Sequence, residues 1–218
     1  MSRFLNELDS AKLLSKYDIP VIESRVVKGK EELETILKKM HFPVVMKILS
    51  QDIQHKTDAG CVFLNISTLE EAKDKFDLII KNAQTYDAKA VLEGVLVQEM
   101  AEKGLEVILG MHRDPQFGPV IMVGTGGIYV EVFEDIAFRL VPLSIFDVEQ
   151  MLKETKLYHV INGARGMTYD MEALMRTIMK LSQLVYENSN IEEIDINPFF
   201  LYPEGKGGKA VDALVKQS

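Results

Sequence analysis

The stretch Glu193–Pro198 has residue types and a spacing suited to metal binding. Glu193, Asp195 and Asn197 alternate with apolar residues, so on a β-strand their side chains share one face. Asp212 lies in a second apolar run further along the chain. If the two strands are neighbours, Asn197 and Asp212 form an oxygen site for Mg²⁺, which keeps several waters and also binds substrate phosphates. The alternative is that these residues are polar strand ends beside a turn.

A lysine and a histidine in the first half of the chain can also carry chemistry. Lys47 lies within the apolar run Val44–Leu49. Because a buried lysine needs an anionic partner, either Lys47 reaches solvent at a strand end or its ammonium group meets a phosphate. The polar loop Ser50–Gly60 follows and contains His55. This histidine is either a nucleophile, a proton carrier or a metal ligand, or a solvated side chain without such a role.

Two neighbouring stretches offer polar groups to a base and a sugar. Gln98, Glu99 and Met100 end an apolar strand, where backbone amide and carbonyl groups can pair with an adenine edge. Glu106 interrupts the next apolar run and can accept hydrogen bonds from ribose hydroxyl groups. Both stretches can equally be ordinary strand ends. We predict that the two strands are antiparallel neighbours.

A glycine-rich turn and an arginine follow. The turn Gly124–Gly127 lets the backbone approach a neighbouring group closely. It has neither the P-loop pattern nor the full dinucleotide-binding spacing, so it identifies no ligand by itself. Of Glu131, Asp135 and Arg139 on the strands that follow, Arg139 is the expected anion contact, with a structural ion pair as the alternative.

Composition excludes several classes of function. The net charge is -8 and no dense basic run occurs, so we expect no nucleic-acid partner. The one cysteine, Cys61, excludes an internal disulfide and a cysteine-based zinc site, and it fits a reducing, cytoplasmic compartment. No stretch approaches the length of a membrane span, so we expect no membrane association. A hydrophobic content of 47% is typical of a globular protein.

Hydrophobic periodicity predicts the elements that position these residues. We predict helices at 11–17, 31–40, 69–80, 144–153 and 171–186. We predict strands at 21–27, 44–49, 61–66, 95–100, 105–111, 120–123, 128–132, 136–140, 193–198 and 210–215. The expected division is an N-terminal helix and linker at 1–20, a first subdomain at 21–97 and a second subdomain at 98–218.

Together these stretches resemble the ATP-grasp (β) subunit or domain of the ADP-forming acetyl-CoA and acyl-CoA synthetases, which is similar to the nucleotide-binding region of succinyl-CoA synthetase. The resemblance runs over nearly the whole chain. It implies an α+β ATP-grasp fold, with two α/β subdomains and a nucleotide cleft between antiparallel sheets. The stretches that carry it are Asp18–Val21, Phe42–Lys47, Asp52–Gly60, Val97–Met100, Asp114–Pro119, Gly126–Glu131 and Glu193–Pro198.

The resemblance implies roles for the candidate residues with ATP or ADP and Mg²⁺ as cofactors. Asn197 and Asp212 would hold Mg²⁺, and Glu106 would bind ribose. The residues that would meet the rest of the nucleotide are Lys47 at the phosphates and Gln98, Glu99 and Met100 at the adenine. Arg139, together with Lys47 and Mg²⁺, would offset charge on the transferred phosphoryl group.

The family also implies a partner subunit that binds CoA and carries the primary phosphohistidine. His55 would then receive the phosphoryl group and pass it to ADP, because neutral imidazole is a good nucleophile and a mobile loop can carry the group between separated sites. His41 and Cys61 stand where the family usually has glycine, and Cys61 is expected to stiffen the loop that contains His55.

Two alternatives remain from the sequence. The chain can be a regulatory module that binds ATP without transferring phosphate, in which case no histidine becomes phosphorylated. It can also be a stand-alone carboxylate–amine ligase, which would release ADP on addition of an acid and an amine without a partner. The sequence supplies no evident pocket for such a carboxylate.

Overall fold

The computed structural model describes residues 2–53, 55–127, 135–164 and 166–218. In chain order the strands are β1 (Arg3–Phe4), β2 (Ser24–Val27), β3 (Val44–Leu49), β4 (Val62–Ile66), β5 (Gly94–Glu99), β6 (Leu105–Asp114), β7 (Gly118–Thr125), β8 (Ile136–Leu140), β9 (Ile191–Leu201), β10 (Gly208–Ala210) and β11 (Ala213–Gln217). The helices are α1 (Glu7–Lys16), α2 (Leu33–Leu37), α3 (Leu69–Tyr86), α4 (Ile145–Lys153), α5 (Lys156–Ile161) and α6 (Met171–Glu187), with a 3₁₀ turn at Lys30–Glu32.

The chain forms two compact units, one of Ile22–Glu102 and one that combines Met1–Val21 with Lys103–Ser218. Each unit contains an antiparallel sheet with helices packed on it, so the predicted α+β class is confirmed. None of the described helices is long and apolar enough to cross a membrane. The strand predicted at 128–132 lies outside the described residues.

The smaller unit has a four-stranded sheet of order β2-β5-β3-β4. Strand β3 is buried along its whole length, as its almost wholly apolar sequence predicts. Met46 and Ile48 belong to the hydrophobic core that includes residues of α2 and α3. Because side chains alternate along a strand, Val45 and Lys47 lie on the opposite face of the sheet. Val45 pairs with Gln98 of β5, so Gln98 and Lys47 share that face.

The larger unit has a seven-stranded sheet of order β1-β11-β9-β6-β7-β8, with β10 paired to β9. One face is covered by α1 and the helices of the second half, and it contributes Leu109, Met111, Ile121, Ile194 and Ile196 to a large apolar core. Side chains of the other face alternate with these residues, so Glu193, Asp195 and Asn197 of β9 point away from the helices. We call this second face the open face.

Side-chain caps set the beginning of several helices, as their sequences predict. Ser144 and Asp147 form a reciprocal capping box at the start of α4, where the Asp147 carboxylate accepts from the Ser144 amide at 2.8 Å. Thr68 accepts from the amide of Glu71 at the start of α3. The first helix is longer than predicted and begins at Glu7.

Residues 1–20, predicted as a helix and linker, are part of the larger unit. Strand β1 pairs with β11, and Leu14 of α1 is fully buried in the core of that unit. The pairing predicted for the strands around Met100 and Leu105 is wrong. Strand β5 pairs with β2 and β3, whereas β6 pairs with β7 and β9.

Candidate functional site

The structure brings Asn197 and Asp212 together on the open face. The backbone amide of Asn197 donates to the backbone carbonyl of Asp212 at 3.2 Å. The backbone amide of Val211 donates to the carbonyl of Pro198 at 3.0 Å. The strand predicted at 210–215 is interrupted at this point, because β10 ends at Ala210 and β11 begins at Ala213. Asp212 therefore lies in the segment between β10 and β11, beside the exposed Asn197.

The carboxylate of Asp195 lies near this pair. Burial raises the pKa of Asp195, and the negative charges of Asp212 and Glu193 raise it further. A cation at this position would relieve the repulsion among the three carboxylates. The described residues contain no group of three histidine, cysteine or acidic residues placed to hold a metal. The oxygen atoms of Asn197 and Asp212 instead suit Mg²⁺, which completes its shell with water and substrate phosphates.

Glu106 lies on the open face, where the glycine-rich turn contacts it. The amide of Gly126 donates to the Glu106 carbonyl at 2.8 Å. A Cβ atom at Gly127 would lie 2.7 Å from the Glu106 carboxylate, and Gly127 also has a positive φ of +85°. Only glycine avoids both the steric conflict and the backbone strain. The glycines therefore permit close packing against Glu106, a role that requires no phosphate.

Asp135 is a positioning residue that sequence reasoning missed. Its carboxylate accepts from the Thr125 hydroxyl at 2.6 Å and from the amides of Lys156 and Leu157 at 2.7 and 3.1 Å. Asp135 therefore links the end of β7 to the first turn of α5. The sequence shows an acidic residue after a glycine-rich turn, but it does not show that a helix begins next to that residue.

In the smaller unit, the structure places Lys47 and Gln98 on one sheet face. Lys47 is 6% exposed and Gln98 is 2% exposed, so neither side chain reaches freely into solvent. The Gln98 amide group donates to the Ser24 hydroxyl at 2.8 Å. Both side chains are therefore buried on this face of the sheet. The alternative in which Lys47 reaches solvent at a strand end does not fit its burial.

Glu99 and Met100, the other two residues expected to meet the adenine, already have partners inside the smaller unit. The amide of Met100 donates to the Pro43 carbonyl at 3.0 Å. The carboxylate of Glu99 accepts from the His41 amide at 2.8 Å, and the His41 ring nitrogen Nδ1 lies 3.0 Å from the same oxygen. Adenine recognition by the Met100 amide would therefore require that its bond to Pro43 be exchanged.

The loop that contains His55 is anchored at both ends. At its start, the Asp52 carboxylate accepts from the Val91 amide at 2.7 Å, and Ile53 is fully buried. At its end, the thiol of the buried Cys61 donates to the Ala59 carbonyl at 3.3 Å. His55 is exposed between these anchors, and its ring contacts no hydrogen-bonding or charged group of the described residues. The imidazole is thus accessible to a phosphoryl donor.

Arg139 does not join the acidic residues of the open face. It pairs across the sheet with Ile121, a core residue of the helix-covered face, whereas its neighbour Phe138 is 51% exposed on the open face. The guanidinium nitrogens Nη1 and Nη2 of Arg139 both donate to the Glu154 carboxylate. The structure thus shows the ion pair that was the alternative for Arg139, and its role in phosphoryl transfer stays a prediction.

We expect Arg139→Met to lower Tm by a few degrees at most, because exposed ion pairs contribute little to stability. The Arg139 guanidinium lowers the pKa of Glu154 below its ordinary value of 4.5. The stabilisation is therefore present above that pH and disappears as the pH falls. Thermal unfolding at several pH values checks this prediction, with Arg176→Met as the matched control in an exposed helical ion pair. A loss of nucleotide binding in Arg139→Met alone would contradict it.

Comparison with known proteins decides the family. The model of the ATP-grasp domain matches residues 1–216 of this chain. The chain belongs to the ATP-grasp family. It is 44% identical over 213 residues to the β subunit of acetate–CoA ligase (ADP-forming) I of Pyrococcus furiosus, covering 97% of this chain and 91% of that subunit. This ATP-grasp chain is also 41% identical to the 4-hydroxybutyrate–CoA ligase (ADP-forming) of Nitrosopumilus maritimus, covering 97% of this chain but only 30% of that longer protein.

A solved structure shows the same fold with ligands bound. Acetyl-coenzyme A synthetase 1 of Candidatus Korarchaeum cryptofilum was solved with coenzyme A and Mg-AMPPCP, with its phosphohistidine segment pointing towards the nucleotide-binding site. It superposes on this ATP-grasp chain with a TM-score of 0.85 and 39% identity, covering 99% of this chain and 93% of that one.

Proposed function

We propose that this chain is the nucleotide-binding subunit of an ADP-forming acyl-CoA synthetase. The reversible reaction converts acyl-CoA, ADP and phosphate into a carboxylic acid, ATP and CoA. The observation that carries the proposal is the backbone hydrogen bond between Asn197 and Asp212 on the open face, which brings together the two residues proposed for Mg²⁺ in an ATP-grasp fold. The similarity to the β subunit of a named acetate–CoA ligase supports the same reaction.

Each unit contributes residues to the proposed nucleotide chemistry. In the larger unit, Asn197 and Asp212 hold Mg²⁺, which offsets phosphate charge when bound. Glu106 accepts hydrogen bonds from ribose, and the glycine-rich turn fixes its position. In the smaller unit, Lys47 supplies a positive charge to the phosphates, and Gln98 belongs to the strand end proposed for the base.

His55 carries the phosphoryl group in this proposal. Its imidazole nitrogen attacks the phosphorus of a phosphohistidine on the partner, so a new N–P bond forms as the partner's N–P bond breaks. A terminal oxygen of ADP then attacks the same phosphorus, the bond to His55 breaks, and the imidazole nitrogen recovers its electron pair. The exposure of His55 between two anchored loop ends permits both encounters.

The proposed partner is a CoA-binding α subunit that carries the primary phosphohistidine. The P. furiosus relative is named as a separate β subunit, whereas the N. maritimus relative is a longer single chain. Both arrangements supply the same chemistry, and we propose the two-subunit form in the cytoplasm for this chain.

Isothermal titration calorimetry with ADP and Mg²⁺ tests the proposed function. We expect ADP to bind the unaltered chain and its affinity to fall about 10- to 100-fold in Lys47→Met, since a charged hydrogen bond contributes about 1.5–3 kcal/mol. Methionine keeps the length of the buried side chain, so the sheet should still fold. The exposed Lys89 of the same unit provides the control Lys89→Met.

The outcomes separate the possible functions. Binding of ADP that Lys47→Met weakens and Lys89→Met leaves unchanged supports the proposed phosphate contact. Equal affinity in all three proteins would remove Lys47 from the proposal. A complete absence of ADP and ATP binding to the unaltered chain would overturn the proposed function itself.

A further inference from the structure

The open face of the larger sheet contains a groove that extends away from the residues proposed for the metal. A pocket of about 350 Å³ lies over β6 to β9 and is lined by residues that include Asp195, Met122 and Phe138. A second pocket of about 630 Å³ lies beside the turn between β6 and β7. Because both pockets include His112, Asp114 and Glu193, they form one continuous groove. We call it the β6–β9 groove.

One wall of the β6–β9 groove is apolar. Phe138 pairs across the strands with Met122, and Leu140 pairs with Val120. Phe138, Met122 and Val120 line the groove, and Phe138 is 51% exposed. Leu140 and Phe117 are also exposed but lie outside the residues that line it. The described residues place helices only on the opposite face of this sheet. A contiguous exposed apolar surface of this kind is typical of a protein interface.

The other wall of the β6–β9 groove is negatively charged. The side-chain carboxylates of Glu193 and Asp195 make neither a hydrogen bond nor an ion pair with any residue in the described part of the chain. Two cations also line the groove: Lys216 pairs with Glu192 at 3.3 Å, and Arg113 donates to two backbone carbonyl groups. The acidic lining residues outnumber them, and these are Asp114, Glu192, Glu193 and Asp195. The charge that remains along the groove therefore favours a positively charged occupant.

Two other occupants fit this charge poorly. A phosphate-bearing ligand without a bound cation would meet two carboxylates at close range, which is repulsive. A second copy of this chain in a two-fold contact would place Glu193 and Asp195 near the same residues of its partner, and each chain has a net charge of -8. A protein segment with basic and apolar side chains matches both walls.

We propose that the β6–β9 groove docks the CoA-binding partner subunit through a segment in which lysine or arginine stands next to apolar side chains. The proposal rests on the proposed function, which requires such a partner. The groove begins at Asp195, two positions before Asn197 in the same strand. A segment docked in it lies next to the proposed metal pair, where a phosphoryl donor from the partner is needed.

The test measures binding of the α subunit of the P. furiosus acetate–CoA ligase I, whose β subunit is 44% identical to this chain. Biolayer interferometry compares the unaltered chain with Glu193→Lys and Phe138→Asp. We expect each change to weaken the complex at least about 10-fold, because each alters one wall in the middle of the interface. Raising the salt concentration should weaken the unaltered complex more than that of Glu193→Lys.

Controls come from the helix-covered side of the same unit. Glu172→Lys and Tyr186→Asp make the same types of change at exposed positions of α6 and should leave the affinity unchanged. ADP binding, measured on Phe138→Asp and on the two control variants, should remain at the level of the unaltered chain. This measurement shows that the variants are folded and separates a failure of the docking proposal from a failure of the proposed function.

Three results would overturn the docking proposal. The first is full affinity for the α subunit in both groove variants, and the second is no binding of the α subunit by the unaltered chain. The third is a concentration-dependent dimer of this chain that Glu193→Lys and Phe138→Asp disrupt, because the occupant would then be a second copy. Sedimentation velocity without the α subunit detects such a dimer.

Discussion

Replacing His55 with asparagine is expected to abolish phosphoryl transfer through this chain while leaving ADP binding intact. Asparagine has a similar polarity but no nucleophilic nitrogen, so no N–P bond can form. We expect the rate of ATP synthesis by the complex with its partner to fall on the order of 10⁴- to 10⁶-fold, the scale of loss found when a catalytic nucleophile is removed.

The structure indicates that this substitution should leave the fold unchanged. His55 is exposed and its ring has no partner among the described residues, so its replacement breaks no contact that holds the fold. The loop remains anchored through Asp52 and Cys61, whose bonds do not involve the histidine ring. The free energy of unfolding should therefore change very little, as is usual for exposed positions.

Intact-protein mass spectrometry after incubation with Mg²⁺ and ATP measures the phosphorylated form directly. The unaltered chain should gain an acid-labile phosphoryl group, and His55→Asn should not. His159→Asn is the matched control, because His159 is also exposed but lies on α5. An acid-labile phosphoryl group that persists in His55→Asn would assign the relay to another residue. Nucleotide binding without any phosphorylation, even with the partner present, would favour a regulatory module.

The sequence predicted individual elements better than their pairing. Strand β3 was predicted at its observed bounds, because a short apolar run between turns is typical of a buried strand. The strands around Met100 and Leu105 also exist, but two apolar runs joined by a short polar segment resemble a hairpin. The burial of β5 along nearly its whole length reflects its position between β2 and β3. That position depends on segments far away in the chain.

The same limit applies to the faces of the larger sheet. In β9, charged and apolar residues alternate, so the sequence identifies the open face correctly. In β8, Phe138 and Leu140 are apolar although they are exposed, and Arg139 lies on the face that the helices cover. From periodicity alone, Phe138 and Leu140 would face the helices and Arg139 would lie on the open face. The structure shows the reverse. The structure resolves this through the pairing of Arg139 with Ile121 and the ion pair with Glu154.

The contact between Asn197 and Asp212 could be predicted because the two residues belong to apolar stretches that a short glycine-containing turn joins. The role of Asp135 could not, since its carboxylate links Thr125 to the start of a helix about twenty residues later. The β6–β9 groove could not be predicted either, because it depends on the pairing of β9 with β6, and β7, β8 and the helices α4, α5 and α6 separate these two strands in the chain.

Replacing Asp212 with asparagine is expected to weaken the binding of Mg²⁺. Asparagine keeps the size of the side chain and one oxygen atom but removes the negative charge that attracts a hard cation. The backbone bond between Asn197 and Asp212 uses the carbonyl of residue 212, so it can persist in Asp212→Asn. We expect kcat/KM to fall about 100-fold or more, since even outer partners of metal ligands contribute about 10–100-fold.

Titration of Mg²⁺ at a fixed ADP concentration distinguishes a metal ligand from a structural residue. A ligand role predicts that Asp212→Asn shifts the Mg²⁺ concentration at half-maximal activity upwards, while ADP affinity without Mg²⁺ is unchanged. Glu204→Gln is the matched control, because Glu204 is exposed in the turn between β9 and β10. An unchanged Mg²⁺ requirement would place the metal elsewhere. The pKa of Asp195 supplies a second readout, because removal of the Asp212 charge also removes one of the causes that raise it. NMR titration of Asp195 should therefore show a lower pKa in Asp212→Asn, whether or not the metal is bound by Asp212.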